Sequence, residues 1–462
     1  MLAVGMGIFL STIDGSIVNV ALPTLAREFA SPFSSVEWVV LGYLLTVATL
    51  LLSMGRLGDM LGKKQVYQTG FAVFTLGSVL CSLSPSIGAL IGFRIFQAMG
   101  AAMVLSLGTA ILTEAFPPSE RGKALGMSGT MVSIGIVVGP VLGGWILDVA
   151  SWPWIFLVNL PVGIVGLLVV GRFVPSFRPP RTGRFDIPGA ASLFAGLLSF
   201  LLALTEGPHL GFAEPRVLAL FAASAIMIGV FITIERRTPH PMIDLNLFRV
   251  GLFSVNLVTG SLAFIALSGL LLLMPFYLEN ILGHPPRLIG LLMGAIPAGL
   301  GVTAPLSGAL SDRVGTRPIT VAGLGVLVLG YLGLTGLGAS TSPLGFLTRS
   351  APIGIGMGLF QSPNNSAIMG TAPRERLGVA SGMLALTRLL GQVTGIAVLG
   401  AMWSARTRVY AGAAWQGDPS SAPVAAQVAG LHETSLVAVS LIAAALLLGG
   451  WALRQERQAG PA

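Results

Sequence analysis

The 462-residue chain is poor in charge: 26 Lys+Arg and 18 Asp+Glu make up 10% of it, against roughly 25% in an average soluble domain. So few charges cannot cover a soluble surface of this size, which excludes a soluble enzyme or binding module. Cysteine is nearly missing. The single Cys81 rules out an intrachain disulfide and leaves the redox compartment open. The four histidines (His209, His240, His284 and His432) all fall in predicted loops, away from Cys81 and from any acidic cluster, so no enzymatic constellation, metal site or cofactor site is expected. No GxxxxGK[ST] segment occurs, which argues against ATP drive within this chain. A separate targeting peptide is not expected either, because the first apolar run starts at Met1 with no basic flank and carries Asp14 at mid-length.

Apolar sequence fills the chain instead. Mean hydropathy is +0.86, and the apolar residues come in continuous runs of about 20, the length that crosses a bilayer as a helix. Continuous runs, rather than alternation of apolar and polar residues, imply helices and not a barrel. The 61 glycines and 29 prolines fit spanning helices that pack closely and bend. The fold class expected is an all-α polytopic membrane protein.

Fourteen spans are predicted, near 2–24, 37–55, 66–84, 87–113, 124–147, 154–174, 187–206, 216–235, 251–276, 288–310, 318–338, 343–370, 379–403 and 433–453. The longest outer loop, about 404–432, is read as irregular. With the N-terminus inside, the cytoplasmic loops hold 18 of the Lys and Arg and the outer loops 5, leaving Arg94, Arg349 and Arg388 within spans. That bias places both termini in the cytoplasm, and it explains the net charge of +8 without nucleic acid. Six of the seven tryptophans then fall toward the outer interface.

An internal repeat organises the runs. Gly55-Arg-Leu-Gly-Asp59-Met-Leu-Gly62-Lys63-Lys64 returns 253 residues later as Gly308-Ala-Leu-Ser-Asp312-Arg313-Val-Gly315-Thr-Arg317. Arg94 returns as Arg349, and Pro118-Ser-Glu120-Arg121 as Pro373-Arg-Glu375-Arg376, both at 255. Three matches in order indicate duplication. The expected domains are a six-helix bundle at 1–174, a linker with two inserted helices at 175–245, and a second six-helix bundle at 246–462, two halves that rock about a central site.

Asp14, mid-span in the first run, is the only acid near the centre of any span. A carboxylate in hydrocarbon is costly unless paired or solvated, so it is a functional candidate, with a static ion pair as the plain alternative. Burial favours its neutral form and a nearby cation its charged form, a balance suited to reversible protonation. Arg94 is the expected partner, with Gln97 on the same helical face. The Gly55–Lys64 segment and its echo read as a tight loop between spans, either a conformational gate (Gly55, Asp59, Gly62, Lys63, Lys64, Asp312 and Arg313) or a well-made turn. Gly135, Gly139, Pro140, Gly143 and Gly144 form a dense GxxxGPxxGG series that predicts a bend and close helix contact. Asn19, Gln97, Arg349, Gln361, Asn364, Asn365 and Arg388 are polar groups within apolar runs that either line a substrate cavity or bond across helices.

These motifs, in this order, resemble the major facilitator superfamily, in particular its fourteen-span drug/proton antiporter branch. The resemblance runs over essentially the whole chain and includes the Asp-x-x-Ile-Val-Asn-x-Ala-Leu-Pro run from Asp14 to Pro23 and Trp152-Pro-Trp-Ile-Phe-Leu-Val-Asn159-Leu-Pro161. It implies that Asp14 and Arg94 couple protons, that Asp59 serves a gate, and that Gly139-Pro140 belongs to an antiporter element. Met60, Ala98 and Pro153 depart from the usual Arg, Gly and Arg. With no mid-span acid in the ninth to fourteenth runs, export of dications is not expected, and neutral or singly charged amphiphiles fit better. The function expected is proton-coupled efflux of hydrophobic or amphiphilic small molecules by a monomer in the cell membrane. The alternatives are a dedicated exporter of one endogenous metabolite, lipid or self-made antibiotic, and, more remotely, a polytopic sensor or membrane enzyme.

Overall fold

A computed structural model describes residues 2–115, 121–174, 186–237, 251–371, 377–412, 415 and 417–459. Within its helices, the side chains of Asp59, Thr109, Thr113, Ser133, Pro208 and His209, and those of 121–130, 377–379 and 457–459, lie outside the description. The described residues are helical throughout, with irregular connections and no strand.

The helices are α1 (Leu2–Glu28), α2 (Phe33–Val36), α3 (Trp38–Leu61), α4 (Lys63–Ser82), α5 (Ile87–Ala115), α6 (Arg121–Val149), α7 (Trp154–Leu157), α8 (Asn159–Phe173), α9 (Ile187–Leu210) and α10 (Pro215–Glu235). They continue as α11 (Gly251–Phe276), α12 (Pro286–Val314), α13 (Thr316–Leu334), α14 (Pro343–Thr371), α15 (Leu377–Ala411) and α16 (Val424–Ala459). Fourteen of these are long, and they fall on the fourteen predicted runs. Among the described residues, eleven helical stretches are long and apolar enough to cross a membrane, and the protein is a multi-pass membrane protein. Large apolar side chains such as Leu168, Val302, Leu329 and Leu447 are 66–75% exposed, an outward-facing surface that suits lipid and not water.

The chain divides into two compact units, Met1–Met242 and Ile243–Ala462. In the first, α1 packs on α6 and α8, α5 on α3 and α4, and α4 on α8; the inserted hairpin of α9 and α10 leans on α3. In the second, α11 packs on α15 and α16, α14 on α12 and α13, and α13 on α16. These are equivalent neighbours in both copies, so the repeat in the sequence is a repeat of packing.

Two expectations change. The glycine-rich segment between the second and third spans is not a loop of any length. α3 persists to Leu61, and Gly62 alone breaks the chain at φ +103° before α4 begins; Gly315 does the same between α12 and α13 at φ +91°. Only glycine adopts that backbone without strain. The outer segment read as irregular from 404 to 432 is mostly helix. α15 runs on to Ala411 and α16 starts at Val424, leaving about 412–423 for the connection. Charged residues ended the apolar run but not the helix. Arg406 pairs with Glu433 at 2.8 Å, and Tyr410 hydrogen-bonds the same carboxylate, tying the two helical extensions together.

Candidate functional site

Five elements of the first unit converge on Asp14. Gln97 and Arg94 lie three residues apart on α5, so both point to one face, and α4 comes close enough to α5 for Ser78 to join them. Gly77 permits this approach: a Cβ there would stand 2.6 Å from Cα of Gln97. The start of α8 adds Asn159. Asp14 is 0% and Arg94 1% exposed, so every polar atom here must find its partner in the protein.

Most of them do. Arg94 Nη1 donates to Asp14 Oδ2 at 2.6 Å and to Gln97 Oε1 at 2.6 Å, and its Nε donates to the Val39 carbonyl at 3.2 Å. Asp14 Oδ1 accepts from Gln97 Nε2 at 2.9 Å and from Asn159 Nδ2 at 2.8 Å. Gln97 Nε2 also reaches Ser78 Oγ at 2.7 Å. The guanidinium lies over the Tyr43 ring, 4.1 Å from its centroid, a contact that favours a cation. The carboxylate thus holds three donors and one full positive charge. Two buried atoms have no partner among the described residues: Asn159 Oδ1 and Tyr43 Oη.

Beside this cluster α1 and α6 touch through glycine. A Cβ at Gly143 would stand 2.7 Å from Ile17 Cγ1, one at Gly135 would stand 2.9 Å from Thr12 Cβ, and one at Gly139 would overlap Ser16 Oγ. Ser16 Oγ donates to the Gly135 carbonyl at 3.2 Å. Pro140 lies inside the helix, where it removes a backbone donor and favours a bend. Gly144 is buried on the same helix. The helix carrying Asp14 therefore meets glycine at three successive turns of α6.

At the helix junctions, Lys63 pairs with Glu114, and Lys64 Nζ donates to the Gly171 carbonyl at 2.8 Å, joining the start of α4 to the end of α8. The second copy repeats this join. Arg317, which corresponds to Lys64, lies 3.4 Å from Glu456 near the end of α16 and donates to Asn256 Oδ1 at 2.7 Å. Gly55 is partly exposed on α3, and Asp312 and Arg313 are exposed at the end of α12. The side chain of Asp59, proposed for the gate, lies outside the described residues.

In the second unit Gln361, Asn364, Asn365 and Arg388 line one small recess between α11, α14 and α15. Asn256 completes its polar rim, and Leu257, Phe264, Phe360 and Leu384 supply apolar wall. Asn364 Nδ2 donates to the Asn256 carbonyl at 3.2 Å. Arg388 faces the Phe264 ring at 4.9 Å.

Two of the polar candidates lie elsewhere. Arg349, the repeat counterpart of Arg94, donates to the Gly345 carbonyl of its own helix at 2.8 Å, meets no acid among the described residues and stays out of the recess. Asn19 is half-buried on α1 and makes no hydrogen bond among the described residues.

Sequence reasoning met Asn159 only as part of a motif, without a site role, and did not single out Ser78, Tyr43 or Asn256. A rule that flagged every amide inside an apolar run would have found the two asparagines. Two more acids, Glu37 and Glu235, are buried near helix ends, at 1% and 4% exposure.

Comparison with known proteins agrees with this architecture. The sequence profile described as Major Facilitator Superfamily matches residues 4–396. The riboflavin transporter RibZ of Clostridioides difficile strain 630 is 36% identical over 400 residues, covering 86% of this chain and 86% of RibZ. The multidrug resistance protein Stp of Mycobacterium tuberculosis strain H37Rv is 36% identical over 406 residues, covering 88% of this chain and 75% of Stp. Among solved structures, an inward-facing, unoccupied bacterial homologue of the human lysosomal transporter Spinster superposes with a TM-score of 0.69 at 17% identity, covering 98% of this chain and 96% of that one. The last likeness is one of fold.

Proposed function

The chain belongs to the Major Facilitator Superfamily of transporters and is not an enzyme; on that premise we propose that it exports hydrophobic or amphiphilic small molecules across the cell membrane in exchange for protons, by alternating access. All fourteen long helices span in this reading, with both termini cytoplasmic, and one polypeptide is the working unit. The observation that carries it is the Asp14–Arg94 pair, buried and held by five helical elements.

The coupling follows from charge. A proton arriving on Asp14 removes the countercharge of Arg94 in a site with almost no solvent. An uncompensated buried charge costs several kcal/mol, so the protonated cluster is poorly matched to its present packing and favours another arrangement. The protonated acid also needs an acceptor for its O–H. Asn159 Oδ1 is buried and unpartnered, and a half-turn of that amide replaces its donor to Asp14 with an acceptor. Asn159 can thus serve both protonation states. The glycine surface of α6 lets α1 shift or rotate without displacing side chains. Membrane potential supplies about 2.3 kcal/mol per charge per 100 mV, which offsets part of that cost. The paired ends Lys63–Glu114, Lys64–Gly171 and Arg317–Glu456 are the contacts that hold a gate in one state.

A second reading has its own support: RibZ is named for one metabolite, and a dedicated exporter of a single compound uses the same machinery. Dye uptake into inside-out vesicles tests the coupling, and Asp14→Asn is expected to abolish proton-dependent uptake. A resistance panel in a pump-deficient host then separates the readings. Broad protection supports multidrug efflux; protection against one or two compounds supports the dedicated exporter.

A further inference from the structure

The recess of the second unit is electrostatically unfinished. Arg388 makes no hydrogen bond or ion pair among the described residues and lies against the face of Phe264 at 4.9 Å. A cation within an apolar span is expensive and is kept where it meets a ligand, water or a countercharge. Around it stand two amides that are 2% exposed yet incomplete: Asn256 Nδ2 and Asn364 Oδ1 have no partner among the described residues. The other oxygens of Asn256 are already taken, Oδ1 by Arg317 and the carbonyl by Asn364, so its side chain offers the recess a donor and no acceptor. Among the described residues, the one carboxylate near the centre of a span, Asp14, is already matched to Arg94 in the first unit.

We propose that this recess seats the acidic group of the transported molecule, with Arg388 as its countercharge and Asn256 Nδ2 as a donor, while the apolar body of that molecule stays outside it. The inference rests on the transporter reading above and deepens it by naming the substrate class: amphiphilic monoanions. A cationic head is rejected because it meets a like charge with no acid to offset it, and a neutral head gains only the amide contacts. An anion bound to a guanidinium forms charge-assisted bonds, stronger than neutral ones.

The test is equilibrium binding to the purified full chain in detergent, read by naphthalene fluorescence, with three probes that share one apolar body: naphthylacetate, naphthylacetamide and naphthylethylammonium. Naphthylacetate is expected to bind about tenfold tighter than naphthylethylammonium, and Arg388→Gln to weaken naphthylacetate about tenfold while changing naphthylacetamide by less than about twofold. Arg388→Lys keeps most of the preference. Retained binding of the neutral amide certifies that Arg388→Gln is folded; if it is lost, the wild-type anion-to-cation ratio and Arg388→Lys decide. Equal or tighter binding of the cation, an unchanged anion affinity in Arg388→Gln, or no binding by any probe overturns the proposal. No proton gradient enters this measurement. A wrong substrate class therefore leaves the Asp14 coupling intact, and an Asp14→Asn protein that still couples protons leaves this ratio untouched.

Discussion

Replacing Asp14 by Asn imitates the protonated acid, and the structure fixes what that change does. The amide has one acceptor where the carboxylate has two. If its oxygen faces Arg94 Nη1, its NH2 group meets two other donors, Gln97 Nε2 at a 2.9 Å position and Asn159 Nδ2 at a 2.8 Å position. If it turns over, the NH2 group meets the guanidinium. One donor clash can be relieved by turning Asn159, whose Oδ1 is unpartnered, but the charge of Arg94 at 1% exposure remains. Removing one partner of a buried pair costs 3–5 kcal/mol, and the relief at Asn159 puts this case near about 3. For a unit of 242 residues, that is roughly 6–12 °C in the melting temperature. The double variant Asp14→Asn/Arg94→Met removes both charges and is expected to regain stability to within about 1 kcal/mol of wild type. Both variants are expected to lose proton-driven transport. Thermal melts of the purified proteins, paired with vesicle uptake, give the two readouts. A double variant as unstable as the sum of the single changes refutes the charge argument; full proton-dependent transport by Asp14→Asn refutes the coupling.

Asn159→Leu removes one donor from Asp14 and the acceptor proposed for its protonated form. It is expected to lower stability by about 1–3 kcal/mol and to slow transport, and a variant with wild-type melting and uptake excludes the role given to Asn159. Gly139→Leu drives a side chain into Ser16, where even a Cβ overlaps Oγ. Separating α1 from α6 is expected to cost about 1–3 kcal/mol in thermal melts and to stop uptake, whereas Gly15→Ala, whose Cβ meets nothing within 4 Å, leaves both unchanged.

Helix number and the duplication were legible because both rest on chemistry the bilayer enforces: apolar length and recurring charged junctions. The 253-residue echo that matched Lys64 with Arg317 reappears as two equivalent joins, to Gly171 and to Glu456. The Asp14–Arg94–Gln97 cluster was legible for a related reason, since hydrocarbon leaves a buried charge few partners. Arg349 differs from its counterpart. Its repeat position copies Arg94, but among the described residues it meets no acid, and it donates to the Gly345 carbonyl of its own helix instead. Boundaries failed where charge was taken for helix end: Arg406, Arg408 and Glu433 lie on helices that go on beyond the apolar run. Glycines misled in the other direction, since only Gly62 of the Gly55–Lys64 segment breaks the helix. Asn159 was noticed only as part of a motif and Asn256 not at all, because a single amide disturbs neither hydropathy nor repeat. Their roles come from which helices meet, and one chain read linearly does not contain that information.

Proton movement itself is the most direct measure of the central claim. In proteoliposomes with a pH-sensitive dye inside, a substrate added to one face is expected to draw protons across in the opposite direction, and Asp14→Asn is expected to carry none. Substrate flux without any proton flux in the wild type, or an undiminished proton flux in Asp14→Asn, contradicts it.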